Sequence, residues 1–273
     1  MSLEILKKIE KNPNIILDKL SYKDSKESFA YISGSLTEGF GNATSDIDVF
    51  IIYDNRDKFK IVQETSSVIK SENSIINNFI YQGIRFDIEY LSLNHFNRII
   101  SKLNNINFKT DEHIFFEEDI LDFIHRLINA MPIANEEKFV KIKSNINFEN
   151  LKIYQAINHS RAFADGIEDI RGATISKDFG TAFFRTRKMI DICLNGFLCI
   201  QGETNPKSKW IYRKLLRYIS NNKNIDLLNT YIDLQTNHPF NDENTNDYIK
   251  KGLKFCHSLN SEIQKYIESK INE

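Results

Sequence analysis

Hydrophobic and polar positions change rhythm once along this chain of 273 residues. Residues 3–20 carry helical spacing, interrupted at Asn12-Pro13. A short β-prone run, Phe-Ala-Tyr-Ile-Ser at 29–33, stops at Gly34, and a polar, glycine-rich connection follows. Residues 46–53 are rich in β-branched and aromatic side chains and close at Asp54-Asn55, which predicts a second strand. We expect a helix over 57–71 and an edge strand over 76–81. Residues 84–91 alternate apolar and polar with period two, as a half-buried strand does, and Gly83 is set for a hairpin turn. After Leu93 the spacing is helical almost without relief. Helices are predicted near 93–104, 112–129, 136–146, 148–171, 178–201, 207–221, 224–236 and 243–268, and no strand signal returns. The pattern predicts a small α/β domain followed by a helical domain, divided where Asn/Lys-rich and Pro132 breaks occur between 105 and 135. We place the division at 1–110 and 111–273.

Composition agrees with long helices, since there are only 10 glycines and 4 prolines. Three of the glycines, Gly34, Gly39 and Gly41, nonetheless fall within one eight-residue window. With 36 Lys+Arg against 37 Asp+Glu the formal charge is −1, so the chain has no field with which to collect a polyanion. That argues against nucleic acid as a partner. The first residues lack an apolar core of signal-peptide length, and the longest fully apolar run is 49–53. We expect a cytoplasmic protein with no membrane contact. Cys193, Cys199 and Cys256 cannot all pair and have no CxxC spacing, so they read as reduced thiols, and no histidine pair has the spacing of a helical zinc site.

The chemistry concentrates between residues 31 and 49. Asp46 and Asp48 stand two apart on the second strand, so both project from one face while Ile47, Val49 and Ile51 project from the other. Two carboxylates about 6.6 Å apart along a strand repel each other, and a hard divalent cation relieves that repulsion. A third acid on a neighbouring strand, Asp87 or Glu89, could complete a pair of metal sites. Gly34-Ser35 supplies the other half: a strand ends at a glycine, and backbone N–H groups in the turn beyond it, with the Ser35 hydroxyl, suit a phosphate. Thr37 either adds its hydroxyl to that cradle or caps the turn. Gly39 and Gly41 fit a close backbone approach to the same ligand, and Ser45 reads as a local backbone hydrogen-bonder. Cations and amides around one triphosphate would let an acceptor hydroxyl attack the α-phosphorus in line.

Gly34-Ser35, ten intervening residues, and then Asp46-Ile47-Asp48 resembles the signature of the nucleotidyltransferase superfamily of the DNA polymerase β type. The fuller string Gly-Ser-Leu-Thr-Glu-Gly-Phe-Gly, with Ser45-Asp46-Ile47-Asp48, is especially similar to antibiotic nucleotidyltransferases acting on aminoglycosides and lincosamides. The resemblance implies an α+β fold, a small mixed sheet with flanking helices followed by a C-terminal helical bundle. It implies that Asp46, Asp48 and Asp87 ligate two Mg²⁺ ions and carry catalysis, and that Ser35 meets the nucleotide phosphates; Gly34 and Thr37 stand beside it as candidate nucleotide contacts. Asp87 is favoured over Glu89 because it follows Phe86 as the family's third acid follows an apolar residue, with Glu89 kept as base or alternative ligand. The implied reaction transfers a nucleoside monophosphate, AMP from ATP by preference, to a hydroxyl of a small molecule. Many relatives dimerise, so a homodimer is compatible with the resemblance.

The helical domain says less. Arg187 falls inside the apolar stripe of Phe183, Ile190, Leu194, Phe197 and Leu198. It must be paired, either with an acid such as Asp191 or with the nucleotide triphosphate, and we carry it as a candidate nucleotide ligand. Lys207, Lys209, Arg213, Lys214 and Arg217 around Trp210 read as a solvated helix face or an anion site. His125, Arg126 and His159 read as ordinary helix residues. Two rival functions stand beside the first: transfer to tRNA or protein, as in toxin–antitoxin relatives, and a nucleotide-binding regulator without turnover.

Overall fold

A computed structural model describes residues 2–23, 25–54, 67–70, 74–110, 114–241 and 245–272. They fall into two compact units, one of residues 1–106 and 123–147, the other of 107–122 and 148–273. The chain therefore crosses between units more than once.

The first unit is built on a mixed sheet. Its strands are β1 (Phe29–Ser33), β2 (Ile47–Tyr53), β3 (Ser67–Lys70), β4 (Ser74–Tyr81), β5 (Ile84–Ser92) and β6 (Met131–Ala134), in the order β3-β4-β5-β2-β1-β6. Only β2 and β5 run parallel; the other neighbours are antiparallel. The period-two pattern explains both faces. Ala30, Ile32, Val49, Ile51, Ile88 and Tyr90 pack with Ile5 and Ile9 of α1 (Ser2–Lys11) and with Ile16 and Leu17 of α2 (Asn14–Leu17). On the opposite face, Phe29 meets Phe96 of α3 (Leu93–Asn104), and Phe50 meets Phe123 of α4 (Glu118–Ile128). Phe139 of α5 (Glu136–Ser144) closes on Phe29 and Tyr31. The division between units falls inside α4. Gln82 and Gly83, both at positive φ, form the tight turn between β4 and β5.

Three expectations are corrected here. A strand does return after Leu93: β6 has four residues, too few for a periodic signal, and Pro132 argues against a strand except at a sheet edge, which is where β6 lies. The segment at 76–81 belongs to β4, which is interior, and the edge on that side is β3. Residues 67–70 are this strand rather than the end of a helix; the rest of the predicted helix, 57–66 and 71, lies outside the described residues. β3 is exposed at all four positions, so it has no buried face to impose a period-two pattern.

The second unit is helical: α6 (Phe148–Ile175), α7 (Phe179–Ile200), α8 (Ile211–Asn222), α9 (Ile225–Thr236) and α10 (Thr245–Asn272). Phe163, Ile170, Ile190, Leu194, Leu198, Cys256 and Leu259 form its core. Two glycines mark close helix crossings. A Cβ at Gly196 would stand 2.8 Å from both His159 and Ile263, and one at Gly252 would stand 2.5 Å from Thr186. The architecture is α+β with a C-terminal helical region, and no described helix is long and apolar enough to cross a membrane.

Candidate functional site

Strand register assembles the site. Parallel pairing sets Asp48 opposite Asp87, while the antiparallel neighbours set Ser33 beside Asp48 and Asn78 beside Asp87. Ser33, Asp48, Asp87 and Asn78 thus form one row across four strands, on the face bearing the aromatic cluster. The next row on that face is Tyr31, Phe50, Glu89 and Ile76. Phe50 stacks on Tyr31 with ring centres 5.0 Å apart, so an aromatic pair stands beside the carboxylate row on the same face. Asp46 lies just before β2 and is half-buried.

Each acid has company. Arg126 Nη1 lies 2.9 Å from Asp48 Oδ1. Arg85 grips Asp87 at both oxygens, Nε to Oδ1 at 2.7 Å and Nη2 to Oδ2 at 2.8 Å, and Asn78 Nδ2 donates to Oδ1 at 2.8 Å. Burial pushes the Asp48 carboxyl above the usual carboxylate range; Arg126 pulls it back, and Asp46 and Asp87 push it up again. Asp87 is raised in the same way, chiefly by burial, with Arg85 opposing and Asp46 adding to the rise. Among the described residues no three His, Cys, Asp or Glu side chains are gathered as a ready-made metal cage. The donor chemistry nevertheless fits a hard divalent cation: carboxylate oxygens on adjacent strands, desolvated and mutually repelling, gain most from added positive charge.

The turn after β1 forms the other side. Gly34 has φ +96°, and a Cβ there would stand 2.1 Å from Asp48 Oδ2. Only glycine lets the strand end so close to the carboxylate. Glu38 N donates to Gly34 O at 3.1 Å and Phe40 N to Ser35 O at 2.8 Å, which closes a compact turn and not a helix. Among the described residues the N–H groups of Leu36 and Thr37 have no hydrogen-bond acceptor, which suits an anion. Thr37 Oγ1 donates to Gly34 O at 3.1 Å, the capping alternative, and Ser35 Oγ donates to Ser45 Oγ at 3.3 Å. Ser45 Oγ accepts from Asn42 N at 2.8 Å, a local backbone bond. Gly41 serves packing, since a Cβ there would meet Leu36 at 2.3 Å.

The first unit thus gathers Gly34, Ser35, Thr37, Asp46, Asp48 and Asp87. Arg187 belongs to the other unit, on α7. Its Nη2 donates to His238 O at 2.7 Å, and its guanidinium lies 4.8 Å from the Phe183 ring centre. Asp191 instead accepts from Tyr231 at 2.9 Å and Gln235 at 2.8 Å. The sequence reading missed Arg126, Arg85 as the clamp on Asp87, and the buried pairing of His125 Nε2 with Glu38 Oε1 at 3.5 Å. The Arg-x-Asp spacing on one strand face held a signal for Arg85. Nothing in the spacing around α4 held one for Arg126.

Comparison with known proteins bears on the same stretch. A family model described as the nucleotidyltransferase domain matches residues 14–153, that is 140 of the 273. Comparison with curated proteins gives no match. Among solved structures, a nucleotidyltransferase-like protein from Exiguobacterium sibiricum 255-15 is similar over 95% of this chain and 78% of its own, at 12% identity and a TM-score of 0.47. The family match spans all six strands together with the Gly-Ser turn and the three aspartates, and on that match the chain belongs to the nucleotidyltransferase domain family and is a nucleotidyltransferase.

Proposed function

We propose that the enzyme transfers a nucleoside monophosphate, AMP from ATP by preference, to a hydroxyl of a small-molecule acceptor, with Mg²⁺ and release of pyrophosphate. The observation that carries this reading is the row of Asp48 and Asp87 on paired strands, with Asp46 beside it and the Gly34 turn pressed against Asp48. An antibiotic of the aminoglycoside or lincosamide type is the acceptor class to try first. The support for it is the Gly-Ser-Leu-Thr-Glu-Gly-Phe-Gly string and a formal charge of −1, which favours a small acceptor over a polyanion.

In the proposed mechanism, Asp46, Asp48 and Asp87 would hold the cations. Mg²⁺ held by these residues would supply charge neutralisation for the phosphate oxygens. The Leu36 and Thr37 amides and the Ser35 hydroxyl hold the outer phosphates, so the α-phosphorus is presented in a fixed pose. The acceptor oxygen forms a bond to the α-phosphorus as the bond from that phosphorus to the bridging oxygen breaks. The hydroxyl proton passes to a carboxylate, Asp87 or Glu89, and pyrophosphate leaves with the bridging oxygen.

The test is pyrophosphate release and product mass for four NTPs against aminoglycosides, lincosamides, tRNA, the protein itself and no acceptor. Asp48→Ala is expected to lower turnover by about 10²- to 10⁴-fold with the chain still folded. Undiminished release by Asp48→Ala would sink the mechanism; label in tRNA or protein would move the acceptor class. Tight NTP binding with no release under any condition would make the protein a regulator.

A further inference from the structure

Arg126 stands where two ligands of opposite charge would each want it moved. Its Nη1 holds Asp48 Oδ1 at 2.9 Å, with the two side chains 27% and 19% exposed. The other oxygen, Oδ2, is pressed against Gly34. A cation that draws on the Asp48 charge therefore competes with Arg126 for the same carboxylate. The Arg126 backbone is fixed, because its carbonyl accepts the Ser33 hydroxyl and the neighbouring His125 is paired with Glu38. The guanidinium lies 5.9 Å from the Phe50 ring centre and remains partly open to solvent. A side chain with an anchored backbone and a half-open head group can change partners without moving the helix.

The charges around the row make such an exchange favourable. Asp46, Asp48 and Asp87 bring three negative charges and Glu89 of the next row a fourth, and Arg85 and Arg126 balance two of them. Two divalent cations taken up alone would carry the cluster past neutrality to a positive charge, and a triphosphate offsets it. A guanidinium released from a carboxylate is well matched to phosphate, since its planar donors meet either group in the same way. We infer that Arg126 exchanges partners, holding Asp48 until a divalent cation takes that carboxylate and then binding a phosphate oxygen of the incoming triphosphate. This rests on the nucleotidyl-transfer reading for the identity of the anion, and it makes Arg126 a substrate-binding residue as well as a counter-ion.

The exchange predicts two shifts of opposite sign in one variant. Mn²⁺ binding to the full chain, without nucleotide, is measured by calorimetry. Inorganic tripolyphosphate binding is then measured at saturating Mn²⁺. Arg126→Gln is expected to bind Mn²⁺ about three- to fivefold more tightly, because the competing cation is gone. The same variant is expected to bind tripolyphosphate about tenfold more weakly. Arg126→Lys keeps the charge but not the fork, so its Mn²⁺ affinity should stay near wild type while tripolyphosphate weakens at least threefold. Unchanged or weaker Mn²⁺ binding in Arg126→Gln overturns the exchange, as does unchanged tripolyphosphate binding. If Arg126→Gln does not fold, by circular dichroism, Arg126→Lys decides: wild-type tripolyphosphate affinity overturns the proposal. Neither binding shift needs turnover, so a wild-type chain with no pyrophosphate release would remove the transfer reading and leave the exchange tested on its own.

Discussion

Gly34 ties backbone conformation to carboxylate placement more tightly than any other residue of the site. Its positive φ is disfavoured for other residues, and its missing side chain is the space in which Asp48 Oδ2 sits. Gly34→Ala is expected to cost about 1–3 kcal/mol in urea denaturation and to lower pyrophosphate release by about 10²-fold, since the carboxylate must move. Gly39→Ala is the contrast. It too has positive φ, but nothing lies within 4 Å of its added Cβ, so it should lose about 1 kcal/mol and keep most of its turnover. The Gly34, Ser35, Asp46 and Asp48 constellation was legible in the sequence because these residues are close along the chain and strand period fixes their faces. Arg126 was not, because a charge on a helix looks the same whether it faces water or a distant strand.

Individual elements of the second unit show how misleading a local charge count can be. The basic group around Trp210 is occupied internally. Lys207 Nζ meets Asp119 at 2.8 Å and Asp122 at 3.5 Å, and Lys209 lies 5.0 Å from the Trp210 ring centre. Arg217 Nε donates to Glu203 Oε1 at 2.7 Å. Lys214, only 1% exposed, points its ammonium at Glu203 Oε2 from 3.9 Å. Glu203 therefore holds two cations of α8 against the loop after α7. Glu203→Gln is expected to destabilise the chain by about 1–3 kcal/mol, read as a lower urea midpoint at unchanged slope, because two cations of α8 lose its negative charge. A wild-type midpoint would show that Lys214 is satisfied without it. The same lesson applies to β6 and β4, whose existence or neighbours depended on what packs beside them.

For the molecule as a whole, acid sensitivity is set partly by the helical unit. His159 on α6 faces Asn195 of α7, with Nε2 3.2 Å from Asn195 Nδ2, and burial pulls the imidazole down to about 4. The unfolded chain, with its imidazole near the ordinary value of about 6.5, takes up a proton that the folded chain refuses. Stability from this group is full above that ordinary value and is lost as pH falls toward 4. Melts at pH 7 and pH 5 should therefore show a larger drop for wild type than for His159→Asn; equal drops would place the sensitivity elsewhere. Few glycines meant long helices, as α6 and α10 bear out, yet Gly196 and Gly252 are there for helix crossings that no composition reveals. By itself the sequence determined the α+β plan and the turn and paired aspartates between residues 33 and 48, because neighbouring residues and a two-residue period leave little freedom. Only the tertiary structure decided that Asp87 stands opposite Asp48, that Arg85 and Arg126 neutralise the row, and that β6 completes the sheet. Strand register and helix packing join residues that no spacing along the chain relates.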